Sequence, residues 1–148
     1  MMSLAFKAGA ITDVGCKRKN NEDSILSLPG NGVFCVADGM GGAREGQVAS
    51  KALTDALAQA FASDDAAGLN LESKVARVRE TIQQVNVWIK QRIEERGYSQ
   101  MGSTVVVGVF DAKRTGRGIA VHAGDSRMYR YRERGLTQIG RASCRERV

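Results

Sequence analysis

The sequence predicts an α+β fold in which helices pack in a layer on a sheet. Three observations carry that expectation. Short runs rich in β-branched residues lie towards both ends of the chain, two long stretches with three- and four-residue apolar spacing lie between them, and no internal repeat or long linker divides the 148 residues. Strands, then two long helices, then strands again is the resulting order.

Ala5 to Thr12, Ser24 to Leu28 and Val33 to Ala37 read as strands, with Pro29-Gly30-Asn31-Gly32 as the turn between the last two. A glycine cluster, Gly39 to Gly42, follows and reads as a tight turn. Val48, Ala49, Ala52, Leu53, Ala56, Leu57, Ala60 and Phe61 then recur as the apolar stripe of a helix, broken at Ser63-Asp64-Asp65 and Gly68. Val75, Val78, Ile82, Val85, Ile89 and Ile93 mark a second helix, which Gly97 is placed to cap. Ser103 to Phe110 is apolar on both parities, as a central strand covered on both faces would be. Gly116 to Ala123 and Ser126 to Arg132 complete the strands.

Composition narrows the function classes. The chain is 43% hydrophobic and 26% charged, ordinary for one soluble globular domain. No apolar run approaches the roughly 20 residues that span a bilayer, and residues 1–10 lack the pattern of a leader, so no membrane partner is expected and the cytoplasm is the default location. Cys16, Cys35 and Cys144 are an odd number without metal-ligand spacing and read as reduced thiols. The net charge of +6 is uneven: residues 113–148 hold ten Lys and Arg against three Asp and Glu. Arg127, Arg130, Arg132 and Arg134 alternate there with Tyr129 and Tyr131, which suits a strand with a solvated face rather than a nucleic-acid stripe.

Chemistry concentrates where acidic residues stand at strand ends. Asp38 closes the apolar run Val33-Phe34-Cys35-Val36-Ala37, a costly place for a carboxylate unless it is paired or holds a metal, and the glycines after it let the backbone approach a ligand. Arg18-Lys19-Asn20-Asn21-Glu22-Asp23 sets a guanidinium ahead of two carboxylates, able to hold phosphate and hard cations, or simply a charged turn. A dinucleotide loop is disfavoured: Gly39-x-Gly41-x-x-Arg44 lacks its third glycine, and Asp38 would repel a pyrophosphate. A cysteine phosphatase needs Arg six positions after Cys, but Cys16 meets Glu22, Cys35 meets Gly41, and the chain ends before Cys144 could meet one. His122, the only histidine, falls in a strand and reads as structural.

Together, Thr12-Asp13-Val14-Gly15, Arg18-x-x-Asn21-Glu22-Asp23, Asp38-Gly39-Met40-Gly41-Gly42, Met101-Gly102-Ser103-Thr104 and Gly124-Asp125-Ser126-Arg127 resemble the protein phosphatase 2C-like metal-dependent Ser/Thr phosphatases, most closely the bacterial branch. The resemblance runs from about residue 8 to residue 139. It implies part of an α/β/β/α four-layer sandwich. It also implies two Mn2+ or Mg2+ ions that activate a water for attack on phosphoserine or phosphothreonine without a phosphoenzyme. By the resemblance Asp38 bridges the ions, Gly39 offers its carbonyl, Glu22 and Asp23 hold metal directly or through water, and Arg18 binds phosphate. Asp125 matches a residue of a third, weaker metal site, with Ser126 and Arg127 bracing its turn. Met40 stands where many eukaryotic members carry a histidine proposed as general acid. The partners implied are phosphorylated Ser/Thr proteins and a cognate Ser/Thr kinase.

The chain also departs from the family pattern. Members continue past the Gly-Asp-Ser-Arg hairpin into Asp-Gly and Asp-Asn motifs whose aspartates complete one metal's coordination, and nothing here replaces them. Leu136-Thr137-Gln138-Ile139 is still family-like, whereas residues 140–148 show no assignable periodicity and are expected to be a non-native or unstructured tail. Residues 1–139 are thus expected to be the N-terminal part of a phosphatase domain with weak or no turnover. The alternative is a non-catalytic module that binds or regulates phosphoproteins.

Overall fold

The computed structural model describes residues 6–42, 44–97, 100–111 and 116–140. Strands β1 (Asp23–Leu28) and β2 (Val33–Gly41) form the first hairpin. Helices α1 (Glu45–Ala60) and α2 (Leu71–Arg96) follow, with a 3-10 turn at Asp64–Gly68 between them. Then come β3 (Met101–Ser103), β4 (Val105–Asp111), β5 (Arg117–Ala123), β6 (Met128–Arg132) and β7 (Gly135–Ile139). A five-stranded sheet runs in the order β1-β2-β4-β5, with β3 paired to β2, and β6 and β7 make a separate two-stranded sheet. Every pairing is antiparallel.

The core lies between the five-stranded sheet and the two helices. Val33, Cys35 and Ala37 of β2 and Val105, Val107 and Val109 of β4 point to one face, as the two-residue period of a strand requires. Leu53 and Leu57 of α1 and Val75, Val78, Val85 and Ile89 of α2 cover that face. The stripe on α1 departs from the expected one at three positions: Val48 is 41% exposed, while Ser50 and Thr54 are buried. Both hydroxyls find partners, Ser50 on the Glu22 carbonyl and Thr54 on Ser24 Oγ, so burial costs them no hydrogen bond.

Helix ends follow their side chains. Asn70 caps α2, its side chain accepting from Ser73 N at 2.8 Å. Gly97 ends that helix at φ 63°, in the left-handed region that suits glycine. Lys74, buried in the first turn of α2, reaches the Asn31 carbonyl at 2.6 Å and ties the helix to the β1-β2 turn.

Three expectations need correction. Of the strand expected at 5–12, residues 6–12 are described and pair with no strand among the described residues; the segment is anchored by side chains at its two ends, the Phe6 ring 5.6 Å from those of Phe34 and Phe110 and Thr12 Oγ1 accepting from Asn21 Nδ2. A strand exists only where a partner's backbone completes its ladder. Gly39 to Gly41 are no turn but extend β2, because β3 pairs with them, Gly39 opposite Ser103 and Gly41 opposite Met101. The run expected at 103–110 is interrupted at Thr104, which separates β3 from β4.

On the sheet face away from the helices, a Cβ at Gly108 would lie 3.0 Å from Met128 Cε, so the Met128 side chain of β6 reaches over β4 there. The solvated reading of the basic strand agrees with the burial of β6, exposed at four of its five residues. Arg134 lies in the β6-β7 turn rather than in the strand; Glu133 and Arg134 have φ 52° and 63°, the pair of positive values that a two-residue type I′ hairpin turn demands. The expected tail lies, beyond Gly140, outside the described residues, and so does Cys144.

Truncating Leu57, fully buried between helix and sheet, is expected to lower unfolding free energy by about 2–5 kcal/mol, whereas Val87→Ala, at an exposed position, changes it by about 0.5 kcal/mol or less, both read from urea titrations. Burial pushes the Cys35 thiol up to about 12, while Cys16 is exposed. In a Cys144→Ser background, iodoacetamide near neutral pH should therefore label Cys16 in the native protein and reach Cys35 only after unfolding, as mass spectrometry would show.

Candidate functional site

The register of the first hairpin brings two carboxylates together. Gly39 N donates to the Glu22 carbonyl at 3.0 Å, and Asp23 lies opposite Asp38 in the next pair along. In an antiparallel ladder the pair beside a hydrogen-bonded one is a non-bonded pair, the kind whose side chains stand closest. Asp38 is thus not at the end of β2; three further residues of the strand follow it. It points with Phe34, Val36 and Met40 to the face away from the helices.

Neighbouring groups hold the two aspartates in place. The segment before Asp23 closes on itself, with Asp23 N donating to Asn21 Oδ1 at 3.0 Å and Asn21 Nδ2 to Thr12 Oγ1 at 2.7 Å. Asp38 is gripped at both backbone atoms by Thr104, whose N–H donates to the Asp38 carbonyl at 2.9 Å and whose Oγ1 accepts from Asp38 N at 3.3 Å. Thr104 Oγ1 also bonds Ser126 Oγ in the turn that carries Asp125. Gly124, at φ 93°, allows that turn to lie against Thr104, where a Cβ would come within 2.8 Å of Thr104 Cγ2.

Glu22 and Asp23 were expected to act as a pair, and the backbone separates them. Adjacent residues entering a strand face opposite sides. Asp23 joins Asp38, whereas the Glu22 carboxylate turns towards the first turn of α1 and sits over Gly46, where a Cβ would lie 2.7 Å from Glu22 Oε1. That end of a helix favours a negative charge. Arg18 Nη1 stands 3.5 Å from Glu22 Oε2, with the arginine side chain 71% exposed and the glutamate 14%.

Asp13, Val14, Arg18, Asn20, Asn21, Glu22, Asp23 and Asp38 line one cleft of about 230 Å³. Arg18, Glu22, Asp23 and Asp38 thus line the same cleft, Glu22 on its helix side and Asp23 beside Asp38. Gly39 is buried beneath the cleft, against α1. Asp125 is exposed and does not line the cleft, although its charge is felt at Asp38. His122 lies in β5 opposite Val106, away from the cleft. Burial, a hydrogen bond that the protonated Asp38 carboxyl donates to Asp23, and the charges of Asp23 and Asp125 raise the Asp38 carboxyl above the ordinary aspartate range, with Arg18 pulling it down.

The donors offered to a metal are all oxygens, the chemistry that hard divalent cations take. The crowding at Asp23 and Asp38 also fits a cation, since positive charge between them would offset the repulsion of the two carboxylates. Among the described residues, however, no three His, Cys, Asp or Glu side chains gather into one metal-holding group. The fit is therefore to a carboxylate pair, not to a closed cage.

Residue identity alone gave no role to Asn21, Gly46, Ser50 or Thr104. Asn21-x-Asp23 carries a readable signal, the Asx turn, and Ser50 another, a hydroxyl inside an apolar helix stripe. Thr104 and Gly46 act through pairings across 66 and 24 residues, which no local pattern displays.

The profile of the family described as Protein phosphatase 2C matches residues 17–146. The chain is 37% identical over 139 residues to the serine/threonine protein phosphatase PstP of Mycobacterium tuberculosis, covering 93% of this chain and 25% of that protein. PppA from Pseudomonas aeruginosa superposes with a TM-score of 0.75 at 38% identity, over 88% of this chain and 54% of that one. The catalytic domain of PstP, solved in complex with 2 manganese ions, gives 0.68 at 36% identity, over 86% and 52%. The chain thus spans about half of these solved chains and a quarter of the full mycobacterial relative. With a match that runs across most of its own length and a fold shared with those phosphatases, the chain belongs to the protein phosphatase 2C family.

Proposed function

We propose that this chain carries the phosphate-facing part of a metal-dependent phosphoserine/phosphothreonine protein phosphatase. The observation that carries the reading is the Asp23–Asp38 carboxylate pair in one cleft with Arg18, in a chain of this family. Asp38 and Asp23 would hold a divalent cation, Mn2+ or Mg2+, with Glu22 and the Gly39 carbonyl as further oxygen donors and Asp125 at the edge of a weaker site. Bound there, such ions supply a water activated at neutral pH and offset charge on the transferring phosphoryl group. Arg18 projects its guanidinium to the cleft mouth, where it can take two phosphate oxygens at once and orient the phosphoester against the acidic pair. Asp38, fixed at both backbone atoms by Thr104, keeps its carboxylate in register while the substrate binds.

Substrates on this reading are phosphorylated Ser/Thr proteins, with a cognate Ser/Thr kinase acting on the same proteins. Among the described residues no helix is long and apolar enough to cross a membrane, and we place the activity in the cytoplasm. Met40, 55% exposed in β2, supplies no acid, so the leaving oxygen takes its proton from solvent or the cleft. The open carboxylate set supports weak or no turnover by the 148-residue chain alone. It also favours a second reading, capture of phosphoproteins through Arg18 without hydrolysis.

Calorimetric titration with Mn2+ tests the centre. Asp38→Ala should weaken binding more than about tenfold; equal binding by both proteins would remove Asp38 from any metal site. Release of phosphate from a phosphothreonine peptide separates the two readings, since the binding module holds the peptide and releases none.

Charge crowding sets a further expectation. Above its raised pKa, Asp38 carries a charge that the metal-free folded state disfavours, and below that pKa the carboxyl is neutral. In EDTA, Asp38→Asn should melt at a higher temperature than the parent at about pH 7, and the gap should close as pH falls towards about 4.

A further inference from the structure

We propose that Ser50 is a positioning residue for the acidic cleft, acting on it through the backbone of Glu22 and Gly39. The proposal rests on the metal-site reading above. Ser50 is fully buried on the face of α1 that packs against the first hairpin. Its hydroxyl has one proton and two carbonyls in reach, Glu22 at 2.6 Å and Gln47 at 3.3 Å. The shorter bond, to the strand, takes it. A helical serine ordinarily bonds back to its own preceding turn, so this hydroxyl is diverted from the helix to β1.

The acceptor it reaches is shared. The Glu22 carbonyl also receives Gly39 N–H at 3.0 Å, so one oxygen holds helix and both strands at a single point. Glu22 directly precedes Asp23, and Gly39 directly follows Asp38. The two peptide units that carry the cleft carboxylates are therefore spaced by this atom. Gly46, one turn before Ser50, makes the approach possible: a Cβ there would lie 2.9 Å from Gly39 C. Thr54, one turn after, makes the corresponding bond to Ser24 Oγ at 2.7 Å, farther along β1 from the cleft.

That neighbour supplies the control. Mn2+ affinity would be measured by calorimetry for the parent chain, Asp38→Ala, Ser50→Ala and Thr54→Val, well below the melting temperature of each, with melting temperatures recorded in EDTA. Ser50→Ala should weaken Mn2+ binding about tenfold, as loss of a supporting hydrogen bond behind a metal ligand does, while Thr54→Val stays within about twofold at a similar loss in melting temperature. Should Ser50→Ala fail to fold, Ser50→Cys, which keeps the volume and weakens the donor, carries the same comparison. Equal weakening in the Ser50 and Thr54 variants would reduce Ser50 to general packing and overturn the proposal. So would unaltered binding in the Ser50 variants when Asp38→Ala binds poorly. Equal binding by the parent and Asp38→Ala would instead overturn the metal-site reading, and the proposal with it.

Discussion

One carbonyl oxygen organises this molecule's chemistry. Glu22 O accepts from a strand amide and a helix hydroxyl at once, and through those two bonds the first hairpin and α1 are locked into a single corner. A buried carbonyl has two lone pairs, and an unmet polar group in such a place would cost roughly 1–3 kcal/mol. Here both bonds come from the elements that must be aligned for the cleft to exist. The glycines at 39 and 46 follow from the same constraint, because a Cβ at Gly39 would lie 1.9 Å from the Gly46 carbonyl. Their side chains are excluded by the closeness that the corner needs.

The corner leaves the carboxylates under tension. Asp23 and Asp38 face each other in a close pair, with Asp125 adding negative charge and Arg18 offsetting it. A structure optimised for stability alone would not place acidic groups this way. The core beneath bears the cost: an uninterrupted apolar layer from Val33 to Val109 packs against both helices, with no buried side-chain nitrogen or oxygen left unbonded among the described residues.

What could be read from the sequence follows from how local its cause is. The α2 stripe, the cap at Gly97 and the turn at Pro29 to Gly32 depend on residues within a few positions, and the structure has them as expected. The acidic cleft was legible because its motifs place charge where apolar runs stop. The state of Gly39 to Gly41 depends instead on β3, some 60 residues away, and glycine composition alone cannot tell an extended segment from a turn. Residues 6–12 carried a strand's pattern but meet no partner strand among the described residues. The split of Glu22 from Asp23 was implicit in strand alternation, but the two read as a pair until the register with β2 fixed which one faced Asp38.

The sheet's connectivity also bears on the order in which it assembles. β1 and β2 meet through Leu28 and Val33, five residues apart, whereas β4 first meets β2 at Val36 and Val106, seventy apart. Closing the longer loop costs about 2 kcal/mol more in chain entropy. The topology therefore favours a hairpin that forms before its neighbour strand arrives, and local contacts of this kind are the rapid ones in folding. Asp23 and Asp38 are already opposite each other in that hairpin, whereas the Thr104 clamp on Asp38 spans 66 residues and needs the later strands. On that order the acidic pair would form as an early local structure, open to solvent cations before the rest of the sheet closes around it.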